Sequence, residues 1–147
     1  MLRNSSSFRD PSGFVFEHEG SIYRSIDKSY KSDFSLLTDS GLKLTLFERD
    51  LLIKHEITSL SNFNDPDLAL FIKPERLPII SYPYEWSFGQ LKEAALLTLQ
   101  VLKVSLEHGM ILKDASGFNV QFKSYNIIPC SNETFNTWRV RSAASFS

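Results

Sequence analysis

The sequence predicts an α+β domain: a small antiparallel strand lobe, then one long helix, then a short hairpin-like segment. Three observations carry this. Residues 13–26 alternate apolar and polar side chains around a turn-forming Glu-Gly. Residues 88–108 repeat apolar side chains at helical spacing over about six turns. Immediately afterwards two apolar triplets, "MIL" and "VQF", flank a polar loop.

The totals suit such a domain. The chain has 147 residues, 42% hydrophobic and 22% charged, which is a core-forming composition and not a disordered one. A net charge of -1 gives no bulk reason to expect nucleic acid or an anionic membrane as a partner. One cysteine, Cys130, excludes a disulfide framework within the chain, which suits a reducing cytoplasm. The start, "MLRNSSSFRDPSG", has no apolar core of a secretory signal. The apolar run 94–106 is interrupted by Thr98, Gln100, Lys103 and Ser105 and is too short to span a bilayer. A cytoplasmic location is therefore expected.

Taken in order, residues 1–12 read as a flexible polar start. In 13–26, "GFVFEHEGSIYRSI", Phe14 and Phe16 alternate with polar neighbours, Ile22 and Arg24 do so on the return, and Glu19-Gly20 supplies the turn of a β-hairpin. Phe34, Leu37, Leu44, Phe47 and Leu51 then recur at helical spacing, with Gly41 as a soft point and Ser32 or Asp33 as the N-cap. "LALFI" and "LPIISY", separated by Pro-Glu-Arg, predict a second hairpin. Pro83-Tyr84-Glu85 reads as a hinge-like linker to the helix. Ser87 and Gln90 have capping-box spacing, Leu91, Ala94, Ala95, Thr98, Leu99, Leu102 and Leu106 follow periodically, and Gly109 is placed as a left-handed terminator. Residues 13–122 thus form one domain, with the strand lobe running to about 86. Residues 123–147 lose the periodicity, apart from one short strand expected around 125–128.

The stretch "LEHGMILKDASGFNVQF" carries the candidate chemistry. A helix, a short strand, Asp-x-x-x-x-Asn and another short strand is the layout of a protein-kinase catalytic loop. There the Asp orients the attacking hydroxyl and the Asn holds a metal bridging the phosphates. Asp114 and Asn119 have that spacing and would be the catalytic pair, Asn119 also the metal ligand. The fold expectation sharpens to a protein-kinase-like partial fold with a catalytic-loop-like hairpin. The same two residues are equally suited to rigidify a turn by bonding its backbone N–H groups.

Other requirements of phosphotransfer are missing. From 120 to 147 there is no Asp, and the only acid is Glu133. No glycine-rich phosphate loop is present, since Gly13 and Gly20 stand alone at the ends of a hairpin. Lys28, Lys31 or Lys73 are candidate phosphate clamps, and each also reads as an ordinary solvated side chain. His18, His55 and His108 lack the paired spacing of a zinc site. His108 reads as a helix C-terminal residue facing the dipole. No Gly-x-Gly-x-x-Gly opens a helix. Tyr82, Tyr84, Trp86 and Phe88 form either a ligand platform or, more simply, the packing of the strand-to-helix junction.

The pieces "FRDPSGFVF", "SYPYEWSF" and "LKDAS-x-x-N-x-QF", in this order, resemble the N-terminal region of bacterial class I S-adenosylmethionine-dependent methyltransferase-family proteins, some of them nodulation-type. The resemblance covers residues 8–122. It implies a kinase-like region that precedes a cofactor-binding methyltransferase domain in full-length relatives, with S-adenosylmethionine as their cofactor. After Phe122 the tail "KSYNIIPCSNETFNTWRVRSAASFS" departs from the family, as a truncated, frame-shifted or divergent end would. The expectation is an accessory portion, non-catalytic by itself and needing no cofactor, whose partner is a methyltransferase domain or its substrate. The alternative is a phosphotransferase or nucleotide-binding module using Asp114 and Asn119 with ATP and magnesium.

Overall fold

In the computed structural model, residues 2–3, 13–60, 67–113, 115–123, 126–129 and 140–142 are described. A five-stranded antiparallel sheet forms the first half. Its strands are β1 (Leu2–Arg3), β2 (Val15–His18), β3 (Ser21–Asp27), β4 (His55–Thr58) and β5 (Leu68–Pro74), in the spatial order β1-β2-β3-β5-β4. The β2–β3 hairpin forms where the alternation placed it. Glu19 and Gly20 both take positive φ, 50° and 70°, the conformation a tight turn between right-twisted strands requires. Gly13 is fixed by contact: a Cβ there would lie 2.0 Å from the Ser25 carbonyl oxygen. Ser25 fastens the strand entry by accepting from the Phe14 N–H at 2.9 Å. Of the polar start at 1–12, only Leu2–Arg3 lies within the described residues, paired with Phe16 and Glu17.

Between β3 and β4 lie α1 (Lys31–Asp39) and α2 (Leu42–Glu48), broken at Gly41 with φ 78°. The predicted soft point is therefore a complete break. The expected cap at Ser32 or Asp33 is not used. A 3-10 turn, Lys28–Tyr30, runs directly into α1, so the chain is already helical when those residues arrive and Asp33 sits in the first turn.

The second hairpin is also corrected. Leu68–Pro74 pairs with His55–Thr58, not with "LPIISY", which has no strand hydrogen bonds. The physical reason is local: Pro78 lies inside that run and Pro83 follows it directly, and neither offers an N–H to a ladder. A single 3-10 turn at Pro83–Glu85 then leads to α3 (Phe88–Glu107). Both bonds of its predicted capping box are present: Gln90 N donates to Ser87 Oγ at 3.3 Å and Ser87 N to Gln90 Oε1 at 2.9 Å. Gly109 ends the helix region at φ 71°.

After α3 come β6 (Met110–Leu112), a 3-10 turn at Gly117–Asn119, β7 (Val120–Lys123), β8 (Asn126–Pro129) and β9 (Val140–Ser142). The two strands flanking the loop do not pair with each other as a hairpin: β6 pairs with β9 and β7 with β8, both antiparallel. The tail thus supplies the neighbours these strands needed. One core joins the halves, with Ile26 and Ile72 of the sheet, Phe34, Leu37, Leu42 and Leu46 of the helix pair, and Leu97, Val101 and Val104 of α3. A smaller cluster of Val15, Ile53 and Leu77 lies at one end of the sheet.

Candidate functional site

The junction between the sheet half and α3 is held by side chains that clamp backbone. Gln121 on β7 is fully buried, and its amide takes both backbone groups of Ser81: Ser81 N donates to Oε1 at 2.9 Å, and Nε2 donates to Ser81 O at 2.7 Å. A side-chain amide therefore supplies the partner that a neighbouring strand would have supplied. Trp86 adds two contacts. Its indole N–H donates to Ser81 Oγ at 3.0 Å, and its ring meets Phe122 edge-on at 5.1 Å. Tyr82 N donates to Glu85 Oε2 at 2.7 Å, closing the turn between them. Tyr82 and Tyr84 stack, with planes only 4° apart. Of the four aromatics, Trp86 packs the junction as expected, whereas Tyr84 and Phe88 are largely exposed.

The Asp-x-x-x-x-Asn loop lies against this clamp. Gly117 abuts Pro83 and the Trp86 ring. Asn119 ends the 3-10 turn, donates its backbone N–H to Ser116 O at 3.0 Å and is 5% exposed. Its amide offers one acceptor and two donors, the equipment for bracing the turn or for holding a metal. Asp114 lies outside the described residues, so the pair has no measured separation. Next to the loop, an apolar groove of about 390 Å³ is lined by Trp86, Leu91, Ala94, Thr98, Leu99 and Gly117.

The other sequence candidates are scattered. Lys28 and Lys31 are exposed beyond the end of β3, and Lys73 sits with its ammonium 5.7 Å from the Tyr23 ring centre. His108 follows α3, and its Nδ1 lies 2.8 Å from Val104 O, as a group that satisfies a helix C-terminus should. His18 lies 3.8 Å from the Glu19 carboxylate. Among the described residues no three His, Cys, Asp or Glu side chains converge as metal ligands; Cys130 lies outside them.

The sequence does not signal the burial of two polar residues, Arg24 and His55. Arg24 is 1% exposed on β3, opposite Val15 and Ile72. His55 is 8% exposed at the start of β4 and borders a cavity of about 620 Å³ at the sheet end, between the Gly20 turn and residues 73–76. Its Nδ1 lies 3.2 Å from Ile53 O, and its Nε2 is buried with no hydrogen-bond partner. Burial, with a smaller contribution from Lys43, pushes its pKa down to about 4. His55 stands between Lys54 and Glu56 and Arg24 between Tyr23 and Ser25, so no local pattern marks either as buried.

Over 121 residues, 82% of its length, the chain is 36% identical to Nodulation protein NoeA of Rhizobium meliloti (strain 1021). That stretch is 25% of NoeA, so the chain spans about a quarter of its relative. No family model matches the chain. No solved structure matches it.

Proposed function

We propose that the chain is the accessory portion of a NoeA-type protein of the S-adenosylmethionine-dependent methyltransferase class. It is non-catalytic by itself and serves to position a methyltransferase domain or its substrate. The carrying observation is that most of this chain aligns with only a quarter of NoeA. Two features support the reading. The sequence has no glycine-rich turn opening a helix, and nucleotide-type cofactors seat their charged groups at such turns between parallel strands. Every strand pairing among the described residues is antiparallel. No helix among them is long and apolar enough to cross a membrane. Isothermal titration with S-adenosylmethionine tests the reading: no heat of binding is expected, and micromolar affinity overturns it.

A second reading is favoured by a specific layout. In protein kinases the phosphate-clamping cation lies on the third strand, a helix follows it, and the Asp-x-x-x-x-Asn loop comes after a later helix. Here Arg24 is the buried cation of β3, α1 follows, and Asn119 sits beyond α3. A kinase-like nucleotide-binding module built on Asp114 and Asn119, with ATP and magnesium, is the rival. Thermal stabilisation by ATP and magnesium that disappears in both Asp114→Ala and Asn119→Ala would establish it, because a ligand bound only by the native state raises its stability.

A further inference from the structure

Helix α3 carries two apolar stripes. Ala94, Leu97, Val101 and Val104 face the core. A second stripe, offset by roughly a third of a turn, consists of Phe88, Leu91, Ala95, Leu99, Leu102 and Leu106. Phe88 is 83% exposed, Leu99 60% and Leu106 51%, and Leu102 is half-buried. A helix on the surface of a finished domain is polar opposite its buried stripe, whereas one that is apolar on most sides is normally enclosed. The second stripe also runs into the groove floored by Trp86 and walled by Gly117, so apolar surface continues from the helix onto the loop.

The charges nearest the stripe are both basic, with the exposed Glu93 and Glu107 farther round the helix. Lys92 and Lys103 are both exposed and lie eleven positions apart, about three turns, so they share one flank. Antiparallel pairing of two copies centred on the stripe would set Lys92 of one copy against Lys103 of the other, a like-charge contact. Parallel pairing would bring the lysines opposite Leu91 and Thr98, which offer no acid. We infer that the outer face of α3 and its groove dock an amphipathic helix with an acidic flank, presented by the larger polypeptide of which this chain resembles a quarter. This surface rests on the accessory reading above and gives it a contact: apolar side chains seat along Leu91–Leu99–Leu106, and carboxylates meet Lys92 and Lys103.

The test titrates the full chain with two synthetic helical peptides that share the same leucine stripe, one flanked by glutamates and one by lysines. The glutamate peptide should bind at least about tenfold tighter. Leu99→Glu should weaken it by a similar factor with an unchanged circular dichroism spectrum, and Leu99→Gln provides the same reading if that charge disturbs folding. The double variant Lys92→Glu, Lys103→Glu should reverse the preference. Equal affinity for both peptides, or no binding of either, overturns the proposal. So does sedimentation as a dimer that Leu99→Glu dissociates, since the occupant would then be a second copy. Binding of S-adenosylmethionine would remove the accessory reading but leave the peptide discrimination intact, so the two failures are distinguishable.

Discussion

Gln121 and His55 are both polar and both buried, in opposite halves of the molecule, yet they are accommodated in different ways. Gln121 is given partners: its amide closes on Ser81 N and O, and the buried polarity becomes a clamp between the junction and β7. His55 is given half a set. Its Nδ1 faces Ile53 O, its Nε2 has no partner, and Phe47 meets its ring edge-on at 5.1 Å. The surroundings answer by suppressing the charge, with the pKa pushed down to about 4. A buried polar group is tolerated when its hydrogen bonds are met or when its charged form is excluded.

Acid separates the two most strongly. The unfolded chain protonates His55 near its ordinary pKa of 6.5, the folded chain only near 4, so between these values the unfolded state binds more protons. Stability is intact above about pH 6.5, declines as the pH falls, and by pH 4 has lost on the order of 3 kcal/mol. Urea denaturation at pH 7 and pH 4.5 measures this, and His55→Phe should flatten the difference. An unchanged slope in that variant would assign the acid loss elsewhere. Gln121→Leu should cost about 1–3 kcal/mol at any pH, because it strands Ser81 N and O in a partly buried segment. The smallest effect belongs to His55→Phe at pH 7. It removes a neutral ring that is already short of a partner and should shift stability by less than about 1 kcal/mol. If it cost as much as Gln121→Leu, the contrast between a satisfied and a half-satisfied buried group would collapse.

Legibility in the sequence followed the range of the forces involved. The Glu19-Gly20 turn, the weak point at Gly41, the Ser87–Gln90 cap and the stop at Gly109 depend on a residue and its near neighbours and are legible, although that Gly41 breaks the helix completely is not. "LPIISY" has the apolar content of a strand, but Pro78 within it and Pro83 after it keep it out of the ladder. The partners of β6 and β7 were unreadable because they come from a tail without periodicity. The Asp-x-x-x-x-Asn spacing marked where loop and junction meet, and Gly117 of that loop does lie beside Pro83 and Trp86. What it could not reveal was that Gln121, forty residues beyond Ser81, holds that junction.

Helix α3 shows the division most plainly. Its sequence by itself determined the helix, its capping box, its stop at Gly109 and one apolar period through Leu91, Leu99 and Leu106, because propensity, capping and period are local properties of the chain. Tertiary structure decided that a different stripe, Leu97, Val101 and Val104, enters the core. Leu97 and Leu99 are the same residue two positions apart, one 8% and the other 60% exposed, and the difference lies in where Leu42, Leu46, Met110 and Val120 close over the helix.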